Sequence, residues 1–100
     1  MTARYVFIHS QQPFDVNCGR PSIWSNPWTH EPLEMTIAMY RVDTVEEAVA
    51  KYKAWVVTQP ILMRKLRNLR GKALGCFCPD DGRPCHVRDV LIPLVEALPA

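Results

Sequence analysis

The sequence predicts a small α/β (or α+β) domain, a small sheet covered by about three helices. Short β-branched and aromatic runs in both halves of the chain supply strands, and three stretches with apolar residues at three- and four-residue spacing supply helices. Composition sets the scale: 100 residues, 48% hydrophobic and 22% charged, fit one ordinary globular domain spanning 1–100, without a repeat or linker.

Tyr5 to His9 reads as a buried strand, bounded by polar residues and Pro13. Residues 10–32 carry Pro13, Gly19, Pro21, Pro27 and Pro32 without periodicity and read as a long loop; ordered loops of that length are often functional. Met35, Ile37 and Met39 alternate with Thr36, Ala38 and Tyr40 as a second strand would. Asp43 with Glu46, or Thr44 with Glu47, is spaced as a capping box. The helix it opens sets Val45, Ala48, Val49, Tyr52, Trp55 and Val56 on one face and ends before Pro60. Pro60 starts a second helix through Leu62, Leu66 and Leu69, with Gly71 as its stop. Lys72 to Cys78 is a strand. A last helix after Cys85 aligns Val87, Val90, Leu91, Leu94, Val95 and Leu98, kinked by Pro93.

Cys76, Cys78, Cys85 and His86 lie within one turn, 76–86. Three thiols and an imidazole form a Cys3His set that suits zinc. Cys76 and Cys78, two apart in extended chain, point to one side, and Pro79 with Asp80-Asp81-Gly82 folds the chain back to Cys85. The competing readings are a disulfide with a free thiol, or thiols packed as apolar groups. The adjacent histidine and the absence of secretory features favour metal: the apolar start Met1 to His9 is too short for a signal peptide, which implies a reducing, cytoplasmic setting. Cys85 and His86 can both ligate only where the backbone bends, as at a helix entrance; otherwise Cys18, His9, His30 or water completes the sphere. A closed sphere makes the metal structural, the expectation adopted here; an open one makes it catalytic.

Several ordered motifs resemble one family. Arg20-Pro21-Ser22 with Trp24-Ser25-Asn26-Pro27-Trp28, Ala48 with Tyr52 and Trp55, Leu69-Arg70-Gly71-Lys72, Leu74-Gly75-Cys76-Phe77-Cys78-Pro79, and Cys85-His86 with Asp89-Val90-Leu91 resemble the domain of unknown function family 4326 across about residues 18–95. These are small phage and bacterial proteins, so the resemblance implies a phage setting and a host-cell cytoplasm. It implies no activity. The family's usual Gly-Arg-x-Ser-x-Trp-Gly-Asn-Pro-Phe run differs at Ser25 and Trp28, and Ser25 demands either a backbone without positive φ or strain. The turn from Cys78 to Cys85 is also slightly long for the family.

The candidate ligand-binding residues are Arg20, Ser22, Trp24, Asn26, Trp28, Arg64, Arg67 and Arg70. Arg20 either grips a phosphate or carboxylate, or pins the loop through Glu31 or Glu34. Asn26 before Pro27 is more natural as a turn starter than as a ligand contact, and Ser22 shares that ambiguity without a nucleophile elbow. Of Trp24 and Trp28, at least one belongs to the core, while the other can stack on a base. Arg64, Lys65, Arg67, Arg70 and Lys72 form a basic helix face that either follows a nucleic-acid backbone or is simply solvated.

A formal net charge of +2 chooses no partner, and no tract is long enough to span a membrane. The favoured expectation is a zinc-stabilised binding domain that recognises a nucleotide or nucleic acid through the Arg20 loop and the basic helix face. The alternatives are an enzyme acting on a phosphorylated or nucleoside-like small molecule at the Arg20/Trp28 loop, and a phage protein that binds a host protein.

Overall fold

The computed structural model describes residues 3–20, 22–31, 33, 38–77 and 82–99. In chain order its elements are strands β1 (Arg4–Phe7), β2 (Val16–Asn17), β3 (Trp28–Thr29) and β4 (Tyr40–Arg41), helices α1 (Val45–Val56) and α2 (Pro60–Lys65), strand β5 (Ala73–Cys76) and helix α3 (Ile92–Glu96). This is the expected α+β class: a three-stranded parallel sheet in the order β1-β5-β2, a separate β3-β4 pair, and three helices.

β5 lies between two parallel neighbours, so both of its edges are paired, and all four of its residues are buried. Tyr5 pairs with Leu74 and Phe7 with Cys76 on one side, and Val16 pairs with Leu74 on the other. Inside the stretch read as loop 10–32 lie two short strands, β3 and, beside β5, β2. Asp15 creates β2: its backbone N–H donates to the Ala73 carbonyl at 2.8 Å, and its carboxylate accepts from the Ala73 N–H at 2.8 Å. A two-residue strand held by one aspartate leaves no periodicity to read.

Gly75 is where this sheet admits no side chain. A Cβ there would fall 2.8 Å from the Phe14 ring and 3.0 Å from Ile8. Gly75→Ala is therefore expected to destabilise the protein by about 1–3 kcal/mol through overpacking, read as a lower urea midpoint with unchanged slope.

The start of α1 uses the second of the two proposed frames: Thr44 Oγ1 accepts from the Glu47 N–H at 3.1 Å, while the Glu47 carboxylate reaches back to the Asp43 N–H at 3.4 Å. Ala48, Tyr52 and Val56 are buried, and Val45, Val49 and Trp55 flank them half-buried. Pro60 occupies the first turn of α2. The second helix changes form at Leu66, continuing as a 3-10 turn to Leu69, and Gly71 ends it at φ 72°.

The last helix departs from the simple kink expected at Pro93. Residues Val87–Leu91 form a π-helical turn, in which the Ile92 N–H bonds the Val87 carbonyl, and α3 follows. The wider turn absorbs the proline ring and missing N–H. Val87, Val90, Leu91 and Val95 remain buried, whereas Leu94 and Leu98 pack only at the margin.

Of the expected strand around Met35 to Tyr40, residues 34–37 lie outside the described residues, and pairing is seen at Tyr40–Arg41. Among the described residues no helix is long and apolar enough to cross a membrane.

Candidate functional site

Cys76 ends β5, and Cys85 with His86 opens the last helix, so the central strand delivers one donor and the helix entrance two. Asp89 sets that entrance: its carboxylate accepts from the Cys85 N–H at 2.9 Å, and its own N–H donates to the Cys85 carbonyl at 2.9 Å. His86 takes helical dihedrals, φ −62° and ψ −26°, so the Cys85 and His86 side chains diverge less than the opposite faces of an extended chain would make them. The ligand atoms of Cys76, Cys85 and His86 all lie within 4.8 Å of one another, and all three residues are buried. This cluster could hold a metal ion. Cys78 falls outside the described residues.

The imidazole is prepared for such a task. Its Nε2 lies 2.9 Å from the Cys18 carbonyl, which can only accept, so Nε2 carries the proton and Nδ1 presents its lone pair. Nδ1 lies 3.9 Å from Cys76 Sγ, and the Cys85 and Cys76 sulfurs are also 3.9 Å apart. Tetrahedral coordination with bonds near 2.3 Å to sulfur has edges of about 3.8 Å. Burial lowers the basicity of His86, keeping it neutral and able to ligate.

Among the described residues, the other proposed fourth donors are not part of this cluster. Cys18 contributes its carbonyl rather than a thiol to this cluster, and burial, with the nearby Cys85, pushes its thiol up to about 12. His9 is exposed and packs its ring against Phe7 and Phe77. His30 is also exposed and lines a cleft beside the cluster.

Beside the cluster is a cleft of about 630 Å³, within the range of small-molecule sites. Cys76 and His86 line its floor, while Val45, Ala48 and Val49 of α1 supply an apolar wall. Arg20, Trp28 and Glu31 line the loop side, and Phe77 and Arg83 the side carried by the cysteine turn.

Arg20 does pin its loop. Its Nε donates to the Asn26 carbonyl at 3.1 Å and its Nη2 to the Trp28 carbonyl at 3.0 Å, so the grip is on backbone oxygens. Asn26 acts as the turn former: its Oδ1 accepts from the Trp28 N–H at 2.9 Å, while its Nδ2 donates to the Ala48 carbonyl of α1 at 3.0 Å. Trp24 is core, with its carbonyl accepting from the Tyr52 hydroxyl at 2.9 Å. Trp28 is half-buried, its ring 5.5 Å from Tyr40 and 6.1 Å from Trp55. Ser22 Oγ is buried without a hydrogen-bond partner, and it does not line the cleft. Ser25 escapes the strain its replacement of glycine raised, because among the described residues only Gln11 is a non-glycine with positive φ.

Arg64, Arg67 and Arg70 are exposed on α2 and the turn that follows, and none of them lines the cleft. Arg70 instead donates to the Pro99 carbonyl at 2.7 Å. The structure thus brings Arg20, Asn26 and Trp28 to the cleft beside the cysteine–histidine cluster, and Arg64, Arg67 and Arg70 are not part of its lining. The sequence did not single out Phe77 and Arg83, which line the cleft, although both lie within the cysteine turn, whose compactness was the available clue.

A family model described as "Domain of unknown function (DUF4326)" matches residues 7–97. No curated protein and no solved structure matches the chain.

Proposed function

This chain belongs to the domain of unknown function (DUF4326) family, and from that premise we propose that it is a zinc-stabilised binding domain whose cleft takes a nucleotide-like small molecule. The observation that carries the reading is the cleft that Arg20 and Trp28 line beside the cysteine–histidine cluster. Guanidinium groups recognise phosphate through paired hydrogen bonds, and an aromatic ring recognises a base.

Zinc is supported by the donor chemistry and by the 3.9 Å edges of the cluster. Cys78, two residues beyond Cys76, supplies the fourth donor in this reading, which closes the sphere and makes the ion structural. The mononucleotide is preferred to a nucleic-acid strand because Arg64, Arg67 and Arg70 are remote from the cleft lining.

The test is a tryptophan-fluorescence titration of the zinc-loaded protein with the four 5′-ribonucleoside monophosphates, run against Trp28→Phe. A saturable change with at least one nucleotide, weakened by added salt and reduced in the Trp28 variant, is expected. No saturable change with any of them sinks the reading. Chromatography of the same samples tests the enzymatic alternative, which requires the nucleotide to be consumed.

A further inference from the structure

Phe77 is a second aromatic ring in the lining of this cleft, besides Trp28. Trp28 already packs against Tyr40 and Trp55, whereas Phe77 remains 44% exposed at the cleft wall. Large apolar side chains left open in a concave site are candidates for ligand contact. The placement of Phe77 is also built. Its ring lies directly over Gly19, where an added Cβ would come within 2.5 Å of ring atom Cδ2, and its edge meets His9 at a centroid distance of 5.2 Å. The glycine that precedes Arg20 thus leaves the space that seats the ring.

Arg83 lines the same wall, and its carbonyl accepts from the Arg88 guanidinium, which fixes the backbone of that stretch. Phe77 directly follows Cys76, and Arg83 stands two residues before Cys85. Both ends of this wall therefore attach to proposed metal ligands. The Arg20 loop attaches too, because the Cys18 carbonyl, two residues before Arg20, accepts from His86. Glu31 adds an exposed carboxylate to the cleft, an acceptor suited to sugar hydroxyls.

Resting on the function proposed above, we infer that Phe77 and Arg83 form the second jaw of the site, which binds a nucleoside monophosphate. The base stacks on Phe77, the phosphate lies between Arg83 and Arg20, and the ribose faces Glu31. The metal clip holds this jaw, so ligand affinity and metal occupancy are coupled, each strengthening the other.

The experiment compares 5′-AMP and inorganic phosphate binding by calorimetry for zinc-loaded wild type, Phe77→Leu, Arg83→Gln and Gly19→Ala, with zinc content and melting temperature recorded for each. Phe77→Leu is expected to weaken AMP roughly tenfold or more while leaving phosphate binding unchanged, as loss of a stacking face requires. Arg83→Gln is expected to weaken both probes roughly tenfold. Gly19→Ala, which displaces the ring without altering it, should follow Phe77→Leu. Retained zinc in these variants shows that the clip is intact. Wild-type AMP affinity in both Phe77→Leu and Arg83→Gln overturns this inference and leaves the proposed function standing on Arg20 and Trp28. A zinc-loaded wild type that binds none of the four nucleotides overturns both.

Discussion

Cys85→Ser is expected to abolish metal binding and lower the melting temperature by about 15–30 °C. The size follows from linkage: an ion at a free concentration a thousandfold above its dissociation constant stabilises the folded state by about 4 kcal/mol, and each 1 kcal/mol moves a domain of this size by about 4–8 °C. Cys85 is fully buried and joins the helix entrance to Cys76 at the end of β5. Its loss removes a donor and the cross-link between two core elements together. Chelation of the wild type should reproduce the shift, and Cys18→Ala should keep the metal, since residue 18 contributes a carbonyl. Metal analysis by mass spectrometry and a thermal melt decide the matter. A wild type purified without metal, or a Cys85→Ser variant that loses metal but melts normally, would contradict the structural clip.

The elements that were legible in the sequence are those fixed by local chemistry. Thr44 with Glu47, Pro60 and Gly71 each act within one turn of themselves, and each marks the boundary it was expected to mark. The cysteine–histidine cluster was legible for the same reason, its donors being close in sequence and chemically specific. β2 was not, because it rests on Asp15 bonding Ala73 across fifty-eight positions of sequence. The π turn was not, because a proline announces a disturbance without specifying how the backbone absorbs it.

The cleft shows the same division. Arg20 and Asn26 stood out as residues of a constrained loop, but whether they faced a ligand or their own backbone depended on α1, which Asn26 reaches through Ala48. Phe77 was named only within the Leu74-Gly75-Cys76-Phe77-Cys78-Pro79 motif. Its position over Gly19 is a contact between residues far apart in the chain, so spacing could not reveal it.

Asn26→Asp is the sharpest test of that loop, and it is expected to destabilise the protein by about 2–4 kcal/mol at neutral pH. The change is nearly isosteric. The oxygen that accepts from the Trp28 N–H is retained, but the amide that donates to the Ala48 carbonyl at 3.0 Å becomes a second oxygen, setting two acceptors against each other in a buried site. Burial and the facing carbonyl must then raise the introduced carboxyl above its unfolded value of about 3.9. The folded state therefore binds more protons than the unfolded state between the two values, and stability rises as pH falls through the raised folded value. Asn26→Ala loses both hydrogen bonds without gaining a titratable group. Urea melts of both variants from pH 7 to pH 4, each referred to wild type at the same pH, should show the aspartate variant recovering relative to the alanine variant. Parallel pH profiles for the two would mean that residue 26 does not tie the Arg20 loop to α1 through its amide.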